Sequence, residues 1–430
     1  MARADERKPK DWILNTFTMS TTGHLAPGLW RHPRNQSAQY TDIEYWTNLV
    51  KILEDGKFHG LCIVDVLSHY GVYKGAGNID PSLPSAAQFP ITDHFSDEAP
   101  AVWNYCLDHI REPILACKST LDHLTKGRVA WNAVTSHLET AAKNLGLPTQ
   151  IAHDERYEIA DDFLTVTYKL WESSWRDDAV VKHTKTKQYT VPGSVRHIDH
   201  KGKHFSTAGP LTTELSIQRT PFIFQAGAST AGKAFATKHA ECMFVPGIET
   251  HKFKKSVDEI RHQAVKQGRN PDHIKIIGGI LIPVDETDKK RVQNMRTTSI
   301  TLTLKVPWLF SGLDWYDEDF KFTGPGVIQS MITLWSATVP GTDGVKWTKK
   351  RIAQELALGG PHPRAIGSPQ TRWIDESTID GFNISYAVNP GHFEDISKWL
   401  LPELRACGVF WDDYAATTIR ENFLDDGLGP

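Results

Sequence analysis

The segment Phe224–Lys233 (FQAGASTAGK) has the composition of a phosphate-binding turn. A short apolar run passes into small residues and then into a helical pattern, so the backbone N–H groups and the Ser229 hydroxyl are predicted at a helix N-terminus. A helix N-terminus binds anions because its first N–H groups are unpaired and the helix dipole is positive there. The segment matches neither the GxGxxG nor the Walker spacing, and a plain turn between a strand and a helix is the more common explanation.

Two polar residues interrupt apolar runs that are otherwise typical of buried strands. Asp65 lies near the C-terminal end of Leu61–Leu67 (LCIVDVL), and Asn132 lies within Arg128–Val134 (RVAWNAV). A buried carboxylate needs a partner, and asparagine has a poor strand propensity, so both side chains are candidates for ligand contacts at the mouth of a barrel. A structural cap or ion pair explains Asp65 equally well, and a bulge or turn is the alternative for Asn132.

A third candidate, His24, lies in a glycine- and proline-rich loop (MSTTGHLAPGLWRHP) after the first apolar run. Such a loop can line a substrate site, although a lone loop histidine is more often solvated. The 19 histidines show no HExxH-type spacing, so no metal site is predicted. The carboxylates of Asp314–Phe320 (DWYDEDF) could indicate sugar chemistry, but a solvated loop is the more common explanation. A barrel glycosidase, the third hypothesis, would require two carboxylates roughly 5–10 Å apart in one cleft.

These candidates are spread over a chain in which short apolar runs alternate with helical patterns. The predicted strands are Trp12–Phe17, Leu61–Leu67, Arg128–Val134, Phe222–Ala226, Cys242–Val245, Ile274–Val284 and Asp380–Val388. The clearest predicted helices are Asp42–Glu54, with Thr41 or Asp42 as its cap, and Asp154–Trp171. Strands of this kind, alternating with helices, indicate a parallel sheet covered on both faces. Seven strands are close to eight, which favours a (β/α)₈ TIM-type barrel over an open doubly wound sheet.

Length and composition restrict the class of protein. A chain of 430 residues is long for one domain, yet α/β barrels with insertions reach this size. We therefore predict a single domain over residues 1–430, with insertions at about 172–220 and 287–367. The net charge of -3 and the absence of a long basic block give no reason to expect a nucleic-acid or membrane partner. Five scattered cysteines without a CxxC pair, and no apolar leader, predict a cytoplasmic protein.

Several long motifs, in order along the chain, resemble one family. They are GLWRHPRNQS (28–37), VYKGAGNIDP (72–81), STLDHLTKGRVAWNAVTS (119–136), HDERYEIADDF (153–163) and FQAGASTAGKAFATKHAE (224–241). Together they resemble the nitrilotriacetate and dimethyl-sulfide monooxygenase group of the bacterial-luciferase-like flavin enzymes. The resemblance implies a luciferase-like barrel, usually dimeric or tetrameric, that receives reduced FMN from a separate NAD(P)H-dependent reductase and oxidises a small organic substrate.

The resemblance also implies roles for individual residues. Asp65 would approach the flavin ring, Asn132 would hydrogen-bond its polar edge, and Ser229 would hold the phosphate. Tyr157 and Arg156 would complete the phosphate and ribityl contacts. His137 stands where the family usually has tyrosine and would make a related contact. His24 would line the pocket above the flavin.

One segment departs from the family pattern. Between Phe89 and Ser119 the family has a strand with a Ser/Thr-rich end, whereas this chain has a shorter segment without it. Ala101–Ile110 (AVWNYCLDHI) has a pattern at least as helical as extended, and Pro113–Lys118 is the alternative makeshift strand. We therefore expect an abnormal third strand and, unless Pro113–Lys118 supplies it, a barrel open between the strands that carry Asp65 and Asn132. A flavin-binding but catalytically degenerate relative follows as the alternative function.

Overall fold

The computed structural model describes most of the chain outside its two termini and the segment from 287 to 373. The described residues are 11–23, 29–64, 66, 68–69, 78–80, 83, 86, 88–92, 102–106, 112–136, 138–227, 229–245, 250–282, 284–286, 374 and 376–424, with backbone alone at 102–106, 112–116, 250 and 252. The predicted insertion at 287–367 lies outside this set. Among the described residues, no helix combines the length and apolarity that crossing a membrane requires.

Eight parallel strands form a closed barrel. They are β1 (Ile13–Met19), β2 (Gly60–Val64), β3 (Val102–Cys106), β4 (Ala130–Val134), β9 (Phe222–Gln225), β10 (Cys242–Val245), β11 (Lys275–Leu281) and β12 (Gly381–Ser385). Around the barrel the order is β1, β12, β11, β10, β9, β4, β3 and β2. The seven predicted strands are confirmed within a few residues at their ends, and so is the barrel class.

The expectation of an open barrel is wrong. Val102–Cys106 forms β3, whose residue Val102 is the parallel partner of Cys62 on β2 and of Ala130 on β4. Pro113–Lys118 does not supply a strand, because it lies within the helix α2 (Glu112–Thr125). The physical reason is that an open edge would leave backbone N–H and C=O groups of β2 and β4 unpaired. The segment Val102–Cys106 has no strong preference for helix or strand, and in the extended form it hydrogen-bonds with both neighbouring strands.

Helices cover the outside of this barrel. They include α1 (Ile43–Gly56), α3 (Glu139–Asn144), α4 (His153–Ser173), α5 (Thr230–His239) and α6 (Thr250–Lys266). The predicted helices at 42–54 and 154–171 are confirmed as α1 and α4, and the Asp42 carboxylate caps α1 by accepting a hydrogen bond from Glu44 N. The insertion at 172–220 carries two small antiparallel sheets, β5 (Val180–His183) with β6 (Gln188–Thr190) and β7 (His200–Lys201) with β8 (Ser206–Thr207).

The amino-terminal end of the barrel is closed by the chain's own C-terminal segment. Ile419–Phe423 forms a short helix whose Ile419 and Phe423 pack with Phe222, Phe224 and other side chains that point into the lumen. The buried Arg420 guanidinium donates to both Glu241 carboxylate oxygens, at 2.7 and 3.1 Å, and to the carbonyl of Thr220. Among the described residues, side chains therefore fill the amino end of the lumen.

Candidate functional site

Ser229 stands at the predicted helix N-terminus. It is the N-cap of α5, and its Oγ accepts a hydrogen bond of 3.0 Å from Gly232 N. The backbone N–H groups of Thr230 and Ala231 donate to no residue that the structure describes. Since Oγ uses a lone pair for the cap, its hydrogen is free to donate to an anion. Two N–H groups and one hydroxyl therefore converge at the positive end of a ten-residue helix.

Tyr157 is brought to the same place from α4. A Cβ built on Gly232 would lie 2.8 Å from the Tyr157 hydroxyl, and one on Gly227 would lie 2.6 Å from it. Each would also meet the backbone of the other glycine at 2.9 Å, so these positions exclude side chains. The Tyr157 ring packs against Phe235 of α5, with ring centroids 5.7 Å apart. The glycines thus leave a cradle in which the phenol and the helix N-terminus face one another.

Arg156 adds a cation beside this cradle. Its Nη1 donates to the carbonyl of Ile151 at 2.5 Å, while its Nε is buried without a hydrogen-bond partner. No carboxylate of the described chain forms an ion pair with it. The Gln150 side chain ties the same loop to the residues after β4, by donating to the carbonyls of Ser136 and Leu138. Arg156 therefore lies at the carboxyl end of the barrel, with a charge that the described residues do not neutralise.

Asn132 lies inside the lumen. Its strand neighbour Trp131 packs outward against α4, whereas Ala130, two residues before it, belongs to the lumen cluster. Asn132 is 5% exposed, and its Oδ1 accepts no hydrogen bond from any residue that the structure describes. A buried amide oxygen without a hydrogen-bond partner costs about 1–3 kcal/mol of stability. A ligand that donates a hydrogen bond to this oxygen would recover that free energy.

Side chains that point into the lumen are less buried in its upper part than in its lower part. Phe17, Val64, Val134, Phe244 and Gly279 point into the lumen near the strand ends and are only half-buried. Inward-facing residues nearer the amino end are buried, including Ile13, Ala130, Phe222, Cys242 and Ile277. Among the described residues, this less buried region at the strand ends, here called the chamber, lies above an apolar floor, and Ser229 follows the end of β9 beside it.

Sequence reasoning missed two residues of this floor. Asn15 on β1 and Asn383 on β12 point into the lumen, and Asn15 Nδ2 donates to Asn383 Oδ1 at 2.7 Å. The sequence did indicate these two residues, because each asparagine interrupts an apolar strand pattern just as Asn132 does.

The loop with the sequence GLWRHPRNQS is held at the same end of the barrel. Arg34 donates to both Asp395 oxygens at 2.9 Å and to the carbonyl of Gly391 at 3.0 Å. Nearby, His392 Nδ1 accepts from Ala387 N, and burial lowers the pKa of His392 to about 4, assisted by Arg34. His392 is therefore neutral at pH 7 and serves as an acceptor that shapes the turn after β12.

The remaining predicted residues, His24, Asp65 and His137, lie outside the described residues. Of the seven predicted site residues, the structure brings Ser229 and Tyr157 together, places Arg156 at the same end of the barrel, and places Asn132 in the lumen. Within the described part of the chain, no group of three or more His, Cys, Asp or Glu side chains is arranged to hold a metal ion.

The cradle and the chamber fit the chemical pattern of a flavin mononucleotide. The helix N-terminus, the Tyr157 hydroxyl and Arg156 supply hydrogen-bond donors and positive charge for a phosphate. The unpartnered Asn132 amide oxygen matches a ring N–H donor, and the half-buried apolar side chains of the chamber suit a flat aromatic ring.

Comparisons with known proteins agree with this pattern. The model of the luciferase-like monooxygenase family matches residues 28–324. The chain is 39% identical to long-chain alkane monooxygenase of Geobacillus thermodenitrificans, over 96% of this chain and 94% of that protein. It is also 39% identical to dimethyl-sulfide monooxygenase of Hyphomicrobium sulfonivorans, over 97% and 91%. It is 27% identical to nitrilotriacetate monooxygenase component A of Aminobacter aminovorans, over 92% of each chain.

Solved structures extend the likeness to three dimensions. The crystal structure of DmoA from Hyphomicrobium sulfonivorans superposes with a TM-score of 0.84, at 36% identity over 97% of this chain and 93% of that one. A riboflavin lyase whose crystal structure holds modified FMN and riboflavin gives a TM-score of 0.80, at 29% identity over 97% and 96%. The family match covers more than half of the chain, and the fold agrees along nearly all of it. This chain belongs to the luciferase-like monooxygenase family and is a flavin-dependent monooxygenase.

Proposed function

We propose that this chain is the oxygenase component of a two-component system. It takes reduced FMN from a separate NAD(P)H-dependent flavin reductase and uses it with dioxygen to oxidise a small organic substrate. The observation that carries the proposal is the cradle, in which Ser229 and Tyr157 meet over two glycines that admit no Cβ. Several hydrogen-bond donors, with no described carboxylate among them, favour a dianionic phosphate.

The residues around the cradle take distinct roles in binding. The Ser229 hydroxyl and the N–H groups of Thr230 and Ala231 donate to the phosphate. Tyr157 donates from the facing side, and Arg156 contributes charge near the phosphate and the ribityl chain. Asn132 accepts from the ring N–H through the oxygen that has no other partner.

Reduced FMN, when bound, supplies the two electrons with which one atom of dioxygen enters the substrate and the other leaves as water. The protein's part is to hold the ring over the chamber and to keep water away from the reacting atoms. The half-buried apolar side chains of the chamber help to exclude water. For His24, Asp65 and His137 we propose the roles that the family resemblance implies, namely lining the substrate pocket, approaching the ring and contacting the cofactor.

A separate reductase is proposed because the sequence has no strand, glycine-rich turn and helix of the GxGxxG type for a dinucleotide. The name of one relative, component A of nitrilotriacetate monooxygenase, is that of a protein with a partner component. From the same family resemblance, we also propose that residues 1–430 form a single domain and that the chain assembles as a homodimer or homotetramer. The missing strand that favoured a catalytically degenerate relative is present as β3, so we propose the active oxygenase.

The test is a substrate screen with the purified chain, a flavin reductase, NADH and FMN, with products identified by mass spectrometry. Organosulfur compounds, alkanes and amino-polycarboxylates form the panel. We expect a product that gains one oxygen and requires both proteins. The control is Gly232→Ala, which fills the cradle and should lose the product at the same reductase activity. A product formed equally well by the reductase alone would refute the proposal.

A further inference from the structure

The floor of the chamber contains an asparagine pair whose amides have fixed orientations. Asn15 Nδ2 lies 3.2 Å from the carbonyl of Thr16 and 2.7 Å from Asn383 Oδ1. Because a carbonyl only accepts, the Asn15 atom beside Thr16 must be the nitrogen, and the Asn383 atom that it meets must be the oxygen. The Asn383 Nδ2 group is therefore turned away from Asn15, and no residue in the described part of the chain accepts a hydrogen bond from it.

Asn383 has a glycine as its neighbour on the adjacent strand β11. Asn15 and Asn383 are parallel partners, and the next partner along this row, on β11, is Gly279. Gly279 has no side chain and is half-buried, so nothing from β11 covers the amide. Asn383 itself is 6% exposed and borders the chamber. Asn383 is thus more than nine-tenths buried, and its amide donor lies at the edge of the chamber.

The position of Asn383 separates it from the proposed cofactor contacts. In the order of the barrel, β12 is four strands from β4, which places Asn383 across the lumen from Asn132. Ser229 follows β9, which is the immediate neighbour of β4. The cofactor contacts therefore lie on the β4 and β9 side. The β12 and β1 side of the chamber is left for the second ligand of the reaction.

We propose that Asn383, held by Asn15, is a specificity-determining residue that donates a hydrogen bond to an acceptor oxygen of the organic substrate. The inference rests on the proposed function and narrows its substrate class. A site with a buried donor disfavours a ligand that leaves it unpaired, so a substrate with a sulfoxide, sulfone, carbonyl or carboxylate oxygen is preferred over the matching sulfide or alkane.

The experiment measures binding to the FMN-loaded protein by calorimetry, using two matched pairs of probes. These are dimethyl sulfone with dimethyl sulfide, and 2-hexanone with hexane. We expect the oxygen-bearing member of at least one pair to bind about ten-fold more tightly. Asn383→Leu should remove that preference. Asn383→Asp should also remove it, because the carboxylate still accepts from Asn15 but offers no donor. FMN affinity should stay unchanged in both variants.

Asn422→Leu is the matched control, since Asn422 lies at the opposite end of the barrel and its Nδ2 already donates to the carbonyls of Ala416 and Thr418. It should keep the preference for oxygen-bearing probes. Equal binding of both members of each pair, binding of neither, or a preference that survives Asn383→Leu would overturn the inference. Failure of the unmodified protein to bind FMN would instead refute the proposed function, so the two failures are distinguishable.

Discussion

Ser229 has two roles that substitution can separate, because the same oxygen that caps α5 is proposed to bind the phosphate. Ser229→Ala removes the acceptor for Gly232 N and should cost about 1 kcal/mol of unfolding free energy. It also removes one hydrogen bond to a charged group, which corresponds to roughly 1.5–3 kcal/mol, or about ten- to a hundred-fold in FMN affinity. Ser229→Gly should have the same effect on affinity but lower stability by only a few tenths of a kcal/mol, since glycine is tolerated at an N-cap.

Ser229→Asp should retain the stability of the protein while strongly weakening FMN binding. Aspartate is a good N-cap, so the free energy of unfolding should be retained. A carboxylate about 4 Å from a phosphate would repel each of its charges by about 4 kcal/mol at an effective dielectric constant near 20, so affinity should fall by on the order of a hundred-fold or more. The assays are fluorescence titration of FMN and urea unfolding of each variant. Tighter or unchanged FMN binding in Ser229→Asp would refute the phosphate assignment, whatever the stabilities.

Other predictions test the scaffold and the partner. Burial lowers the pKa of His59 to about 3, so the stability that its neutral form contributes is present above about pH 6.5 and is lost as the pH falls towards 3. This histidine alone should cost about 2 kcal/mol between pH 7 and pH 5, and His59→Asn, which keeps an acceptor for Leu14 N, should show a correspondingly shallower loss in urea unfolding at the two pH values. Arg420→Met should destabilise the protein by about 3–5 kcal/mol by leaving Glu241 buried without its partner, and Glu241→Gln in the same chain should restore part of that loss; an unchanged urea midpoint would contradict the role given to this ion pair. Asn104→Pro should prevent folding or lower the melting temperature sharply, because proline removes a donor from a strand with neighbours on both sides, and a folded variant with unchanged melting temperature would contradict the closure by β3. The purified chain with NADH and FMN but no reductase should consume no NADH, and rapid consumption would contradict the two-component proposal.

A barrel strand could be predicted from the sequence where both of its faces are buried, because its residues then form a continuous apolar run, as in Cys242–Val245. β3 was not predictable in this way, because AVWNYC carries no clear period. Its extended form is imposed by the ladders of β2 and β4, which a local pattern does not contain. The prediction of a gap failed because it gave the local preference of this segment more weight than the cost of leaving two neighbouring strands unpaired.

For the site, the small residues after Phe224 correctly predicted a helix N-terminus at Ser229. The meeting of Tyr157 with Gly227 and Gly232 joins positions some seventy residues apart, and only the packing of α4 on α5 reveals it. An asparagine within an apolar strand pattern was the reason for choosing Asn132, and the same reason holds for Asn15 and Asn383. A rule that examines every asparagine within an apolar strand would have found all three.

In the proposed reaction, one atom of dioxygen is transferred to an organic substrate at the expense of reduced FMN. The most direct measurement supplies photoreduced FMN, without reductase or NADH, together with ¹⁸O-labelled dioxygen and a substrate from the screen. We expect one ¹⁸O atom in each product molecule and no product when oxidised FMN replaces the reduced form. Product oxygen that comes from water, or product formed without reduced flavin, would contradict it.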